Sequence, residues 1–239
     1  MTSTSTSTSV RLLLGTEHAC GYLPDRSARS AFIDPEFPLS SLRYGVLLDL
    51  GFRRSGAYVY RPACATCKDC LAARIPVAEF TPDRGQRRCT KRNADLKLSQ
   101  DAALGEEHYA LYRRYLASRH AGGGMNPEDY KAFRTFLECS WGDTQFWTLR
   151  LDGRLLAVAV VDLVPSGISA VYTFFDPLER ARSLGTFAVL TQIEQARAMG
   201  KPYVYLGYWV ENSPKMDYKR RFRPLELLDK DVWKRLEAI

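Results

Sequence analysis

The chain has little histidine, three residues in 239, and no hydrophobic run that approaches the length of a membrane span. The apolar patch near its start, Val10 with Leu12 to Leu14, is interrupted by Arg11 and is too short for the h-region of a signal peptide. No internal repeat is visible, and no nucleophile–base motif can be read from the residue order. These absences exclude a membrane-spanning protein and a repeat array, and the expected location is the cytoplasm. In that reducing setting the six cysteines are not expected to form a disulfide framework.

What is present is uneven. A hydrophobic content of 46% in 239 residues suffices for one large domain or two lobes with real cores. The opening Met1-Thr-Ser-Thr-Ser-Thr-Ser-Thr-Ser9 is too polar to offset its ordering entropy and is expected to be a disordered tail over 1–9. Formal charge is +7 with pI near 9.1, which suits an anionic partner without naming one. Three cysteines at two-residue spacing, Cys64, Cys67 and Cys70, are followed by the basic run Arg84-Gly-Gln-Arg-Arg-Cys-Thr-Lys-Arg92. Thiolates are soft ligands and guanidinium forks match phosphate oxygens, so a polyanion such as RNA is the leading partner class.

The text between 45 and 77 reads as short strands and turns: a strand at 46–50, a turn at 53–56, strands at 57–61 and 72–77. Thr81-Pro82-Asp83 carries helix-start signals, which puts Arg84, Arg87, Arg88, Lys91 and Arg92 at helical spacing on one cationic face. Helices are expected at 101–119 and from 126 to about 138. Strands are expected at 144–151 and 154–164 around the Asp152-Gly153 hairpin signal, then at 168–175, a helix at 184–199 and a strand from 202 to 208. The expected class is α+β in two lobes: a β-rich N-terminal lobe over 10–100 with a cysteine knuckle and the basic helix, and a C-terminal lobe over 101–239 with a mixed sheet and helices. The order after 144 is that of an N-acetyltransferase-like fold. Its cofactor loop would correspond to Arg182-Ser-Leu-Gly185-Thr-Phe187, where the bulk of Phe187 argues against coenzyme A as donor.

Several segments together carry a resemblance. They are Cys20-Gly-Tyr-Leu-Pro-Asp-Arg26, Gly51-Phe-Arg-Arg-Ser-Gly56, Tyr60-Arg-Pro-Ala-Cys-Ala-Thr-Cys-Lys-Asp-Cys70, Gln86-Arg-Arg88 with Lys91-Arg-Asn93, Phe175-Asp-Pro177 with Ser183-Leu-Gly185, Tyr205-Leu-Gly-Tyr-Trp209, and Lys215-Met-Asp-Tyr-Lys219 before Phe222-Arg-Pro224. In order and spacing they resemble the arginyl/leucyl-tRNA–protein transferase family, most closely its short bacterial branch, the aspartate/glutamate leucyltransferases of the N-degron pathway. The resemblance implies transfer of an aminoacyl group from charged tRNA to the α-amine of proteins beginning with Asp or Glu. Leu23 stands where longer arginyl-transferring relatives tend to carry a second cysteine, which favours the leucyl branch.

Candidate sites follow. Cys20, Cys64, Cys67 and Cys70 could supply four thiolates to a zinc ion or an iron–sulfur cluster, against a metal-free packed knuckle; the transfer itself requires no cofactor. The helix face and Lys219, Arg220 and Arg221 are candidates for tRNA, and Lys215, Arg119 and His120 for the acceptor. Asp176, at a strand end, could receive the amine or simply cap the turn before Pro177. Tyr172 and Tyr208, with Trp209, would line the pocket around the terminal adenosine or else be core aromatics. The competing readings are an arginyl-tRNA–protein transferase, a coenzyme A-dependent acetyltransferase and a zinc-knuckle RNA-binding module.

Overall fold

The computed structural model describes residues 10–119, 126 and 128–237. In chain order its elements are β1 Leu12–Leu14, β2 His18–Ala19, β3 Ser27–Ala28, β4 Ser30–Ile33, α1 Ser41–Asp49, β5 Arg53–Ser55, β6 Tyr58–Pro62, β7 Leu71–Pro76, α2 Arg84–Arg92, β8 Lys97–Asp101, α3 Glu106–Arg119, α4 Tyr130–Leu137, β9 Asp143–Leu151, β10 Arg154–Val164, β11 Gly167–Phe175, α5 Leu184–Ala198, β12 Tyr203–Trp209, β13 Glu226–Asp229 and β14 Val232–Arg235. The expected tail over 1–9 lies outside the described residues, as does His120.

Three expectations are corrected. Residues 46–49 belong to helix α1, with Leu50 as its C-cap; Ser40 caps the other end by accepting from Arg43 N, and the helix buries Tyr44, Leu47 and Leu48 at helical spacing. The apolar run is ambiguous by itself; burial on one side only decides it. Residues 53–55 are a strand, with Gly56 at φ +58° taking the turn. The helix expected from 101 starts at Glu106, because 97–101 pairs with β9 as an edge strand.

A large sheet of eight strands runs β14-β13-β7-β12-β11-β10-β9-β8, and a four-stranded sheet runs β1-β4-β6-β5. The protein is thus α+β with a mixed sheet, and the large sheet takes strands from both sides of residue 101. The pair β11–β12 is parallel, as a helical crossover through α5 requires, and the other pairs in this sheet are antiparallel. Strand β10 divides its side chains by period two: Ala159 and Val161 face a core with Ile193 and Val204, while Val158 and Val160 face one with Leu111, Phe133 and Phe174. A third core, from Tyr44, Leu48, Phe52, Val59, Val164 and Tyr205, joins the small sheet to the large one.

Candidate functional site

Strands β11 and β12 pair only over Gly167–Ser169 with Tyr203–Tyr205, yet they run on to Phe175 and Trp209. Beyond the paired stretch the two strands no longer share a ladder. A crevice at the carboxyl ends of parallel strands is where α/β sheets bind ligands. Here the gap holds Arg53, whose Nη2 donates to Val171 O at 3.3 Å and whose guanidinium lies 5.8 Å from the Tyr208 ring centre. Gly207, at φ +73°, leaves the room for it: a Cβ there would stand 2.8 Å from Arg53 Nη1. In the sequence Arg53 reads as a turn residue. It falls within Gly51-Phe-Arg-Arg-Ser-Gly56, one of the segments that carry the resemblance, but its role comes from β5 lying against β11.

Lys219 comes to the same place from a short helical turn at Asp217–Arg221. It is 3% exposed, and Nζ donates to Tyr208 O. Burial pushes its ammonium well below the ordinary value, and the charge of Arg53 adds to the same effect. Lys219 therefore does not stand on the surface with Arg220 and Arg221. An ammonium has three donors to satisfy, and no carboxylate pairs with this one among the described residues. A neutral amine fits the site better.

The expected basic helix is α2. Asp83 caps it in a reciprocal capping box with Gln86, and Gln86, Cys89 and Asn93 form its buried side. Arg84, Arg87, Arg88, Lys91 and Arg92 are all exposed. The nearby carboxylates are committed elsewhere: Asp83 takes Gln86 N at 2.7 Å, and Asp95 binds Arg182 through two bonds of 2.8 and 2.9 Å. Gln86 Nε2 donates to Arg221 O at 2.9 Å, which fixes α2 beside the second cationic cluster. A groove there is bounded by Asp83, Asp217, Arg220, Arg221 and Arg223. Lys215 is also exposed in this segment. The two basic clusters, far apart in sequence, thus form one surface.

Asp176 is 4% exposed at the end of β11. Its Oδ1 accepts from Leu178 N at 3.0 Å and its Oδ2 faces Arg154 Nη1 at 3.5 Å, so both oxygens have partners. The hydroxyl of Tyr208 donates to Gly51 O at 2.9 Å and Tyr60 O at 3.2 Å. That of Tyr172 is buried without a hydrogen-bond partner among the described residues, and burial first, then Tyr115 and Tyr112, pushes its pKa up. Arg119 lies 5.8 Å from the Phe175 ring centre, where the end of α3 meets the end of β11. Phe187 packs into the apolar side of α5 with its neighbours.

Cys20 and the cysteine triplet come near one another: the Cys70 thiol is pushed up to about 12 by burial and then by Cys20, Cys64 and Cys67. Two of the four sulfurs have other partners. Cys64 Sγ accepts from Arg29 N at 3.5 Å, and Cys67 Sγ accepts from Arg26 Nη1 at 3.5 Å. Among the described residues no group of three or more His, Cys, Asp or Glu stands close enough to hold a metal ion. The four cysteines as placed do not fit a zinc or iron–sulfur centre.

Comparison with known proteins covers nearly the whole chain. Residues 18–88 match the model for the N terminus of arginine-tRNA-protein transferase, and residues 107–229 match that for its C terminus. The aspartate/glutamate leucyltransferase of Stenotrophomonas maltophilia (strain K279a) is 53% identical over 231 residues, 94% of this chain and 92% of that protein. That of Pseudomonas fluorescens (strain Pf0-1) is 50% identical over 217 residues, 90% of this chain and 92% of that protein. In fold, the chain is similar to the C-terminal domain described for a lysylphosphatidylglycerol synthetase from Agrobacterium fabrum, with TM-score 0.50 and 14% identity over 69% of this chain and 61% of that one.

Proposed function

Since the chain belongs to the arginine-tRNA-protein transferase family through both of its halves, we propose that it transfers leucine from leucyl-tRNA to the α-amine of proteins beginning with Asp or Glu, marking them for degradation. The observation that carries this reading is the near-full-length similarity to relatives named aspartate/glutamate leucyltransferase, 53% identical in one case. The cationic surface of α2 and the 217–223 segment supports a tRNA contact. Action in the cytoplasm, where charged tRNA is made and used, agrees with the absence of any helix among the described residues long and apolar enough to cross a membrane.

The chemistry asks for positioning and one proton path. An aminoacyl ester is already activated, and an α-amine with a pKa of about 7.7 to 8.0 is partly unprotonated near neutral pH. Its nitrogen lone pair attacks the ester carbonyl carbon and a C–N bond forms. The proton shed by that nitrogen passes to Nζ of Lys219, whose charged form burial disfavours. As the ester C–O bond breaks, Lys219 returns the proton to the departing ribose oxygen, so no proton is released and no covalent enzyme intermediate is needed. Asp176, Tyr172 and the aromatic cluster around it are assigned to shaping the crevice.

Incubation with leucyl- and arginyl-tRNA and peptides beginning Asp, Glu, Ala or Lys tests this. One leucine added to the Asp and Glu peptides is expected by mass spectrometry. Preferential addition of arginine, or equal modification of the Ala peptide, would refute it.

A further inference from the structure

Among the described residues Arg53 is a cation without a counter-charge. The buried arginines nearby each have one: Arg54 pairs with Asp162 at 2.6 Å, and Arg74 with Glu226 at 2.8 Å and Asp49 at 2.9 Å. Among the described residues Arg53 has only the bond to Val171 O, and its electrostatic neighbours are the phenols of Tyr60, Tyr22, Tyr208 and Tyr44. No carboxylate pairs with it among the described residues. A guanidinium has five N–H donors in a planar fork, so most of its capacity is unspent. It is half-buried, with tyrosines beside it. Arg53 also lines a small space bounded by Tyr44, Arg54, Ser169, Val171 and Gly207.

Two cations meet here, and they resolve the conflict differently. Arginine cannot give up its proton, whereas lysine can. Lys219 is the group displaced from its ordinary titration; Arg53 keeps its charge and remains unsatisfied until an anion arrives.

We infer that Arg53 receives the side-chain carboxylate of the acceptor's N-terminal Asp or Glu, and that selectivity for acidic N-termini resides in this guanidinium rather than in the exposed cations of the 215–223 segment. The inference rests on the leucyl-transfer reading above. A carboxylate can take two parallel bonds from the fork. In Asp the α-nitrogen is three bonds from the carboxyl carbon, so a carboxylate held on Arg53 keeps the amine within the same crevice, where Lys219 is the proton acceptor. The exposed arginines are poor candidates for this task because a solvated ion pair separates Asp from Asn weakly. A partly desolvated, otherwise unpaired guanidinium separates them strongly, since the amide leaves it uncompensated.

The test compares peptides differing only in a first residue of Asp or Asn, with leucyl-tRNA saturating. Wild type should favour Asp by about 100-fold or more in kcat/KM. Arg53→Gln should bring that ratio to within about 3-fold by slowing the Asp peptide alone, and an unchanged ratio would overturn the inference. Arg53→Lys keeps the charge and loses the fork; it should still favour Asp, with the ratio lowered about 10-fold, and a ratio equal to wild type counts against the assignment even where Arg53→Gln does not fold. Calorimetry on tRNA-free protein gives a second reading: the Asp peptide should bind wild type more tightly than the Asn peptide, and equal binding overturns the inference. Should wild type modify no peptide, the transfer reading falls, while the same calorimetric comparison on Arg53→Gln still decides Arg53: the preference for the Asp peptide should disappear, and its persistence overturns the inference.

Discussion

Arg54 and Asp162 face each other in the interior through two bonds, Nε to Oδ2 at 2.6 Å and Nη2 to Oδ1 at 2.7 Å, with side chains 0% and 2% exposed. The remaining donors of Arg54 reach Gly56 O, Leu137 O and Thr144 Oγ1 at 3.1 to 3.2 Å. Thr144 closes the network on Asp162 Oδ1 at 2.6 Å. One side chain on β5 thus ties the small sheet to strand β10 of the large sheet and to the end of α4. Gly56 fits beneath because a Cβ there would lie 2.2 Å from Thr135 O.

Breaking one side of that pair leaves a buried charge alone. Asp162→Ala is expected to cost about 3 to 5 kcal/mol, while replacing Arg54 and Asp162 together by Met and Leu should cost much less. Urea unfolding of the three proteins checks this. A single variant as stable as wild type would show that the pair carries no stability.

Lys219→Met should slow single-turnover transfer by about 100-fold or more while leaving tRNA affinity in place. It should also change stability with pH. The native ammonium titrates well below its ordinary value, so between that native value and about 10.4 the unfolded chain binds more protons and wild-type stability rises with pH. Below that window the buried charge is a penalty. The variant should therefore be more stable than wild type at low pH and lack the rise. A Lys219→Met protein with wild-type transfer would remove the lysine from the mechanism.

Neutralising Arg87, Arg88, Lys91 and Arg92 on the exposed face of α2 should weaken binding of charged tRNA and lower the log–log salt slope by about one for each phosphate that is no longer neutralised. Binding curves between low and moderate salt measure it. A quadruple variant with the wild-type slope would place the nucleic acid elsewhere.

With its pKa pushed up to about 12, Cys70 should be largely protonated at pH 8, and its alkylation should be about a thousandfold slower than that of an unstructured cysteine peptide. Mass spectrometry after timed iodoacetamide treatment reads this directly. Rapid labelling of Cys70 would mean that its thiol is not buried as described.

The helix α2, its cap at Asp83 and the hairpin through Asp152-Gly153 are legible in the residue order, because each is set by contacts within a few positions: a capping box, a cationic face, a two-residue turn. The family resemblance is legible too, from motifs spread from Cys20 to Pro224. Residues 46–50 are not, since five apolar-rich positions satisfy either period until Ser40 caps one end and a neighbouring sheet covers one side. Lys219 looks like its neighbours Arg220 and Arg221, and only the fold separates them, by drawing one of three adjacent cations onto Tyr208 O. Arg53 lies in a segment that carries the resemblance, but the residue order does not tell what it does. Its meaning depends on β11 and β12 ceasing to pair after Ser169 and Tyr205 and on a glycine at 207 leaving space, and these are distances between segments more than a hundred residues apart. Local hydrogen bonding and periodicity can be read along a chain; the charge left unpaired in a crevice is decided only by what the folded chain brings beside it.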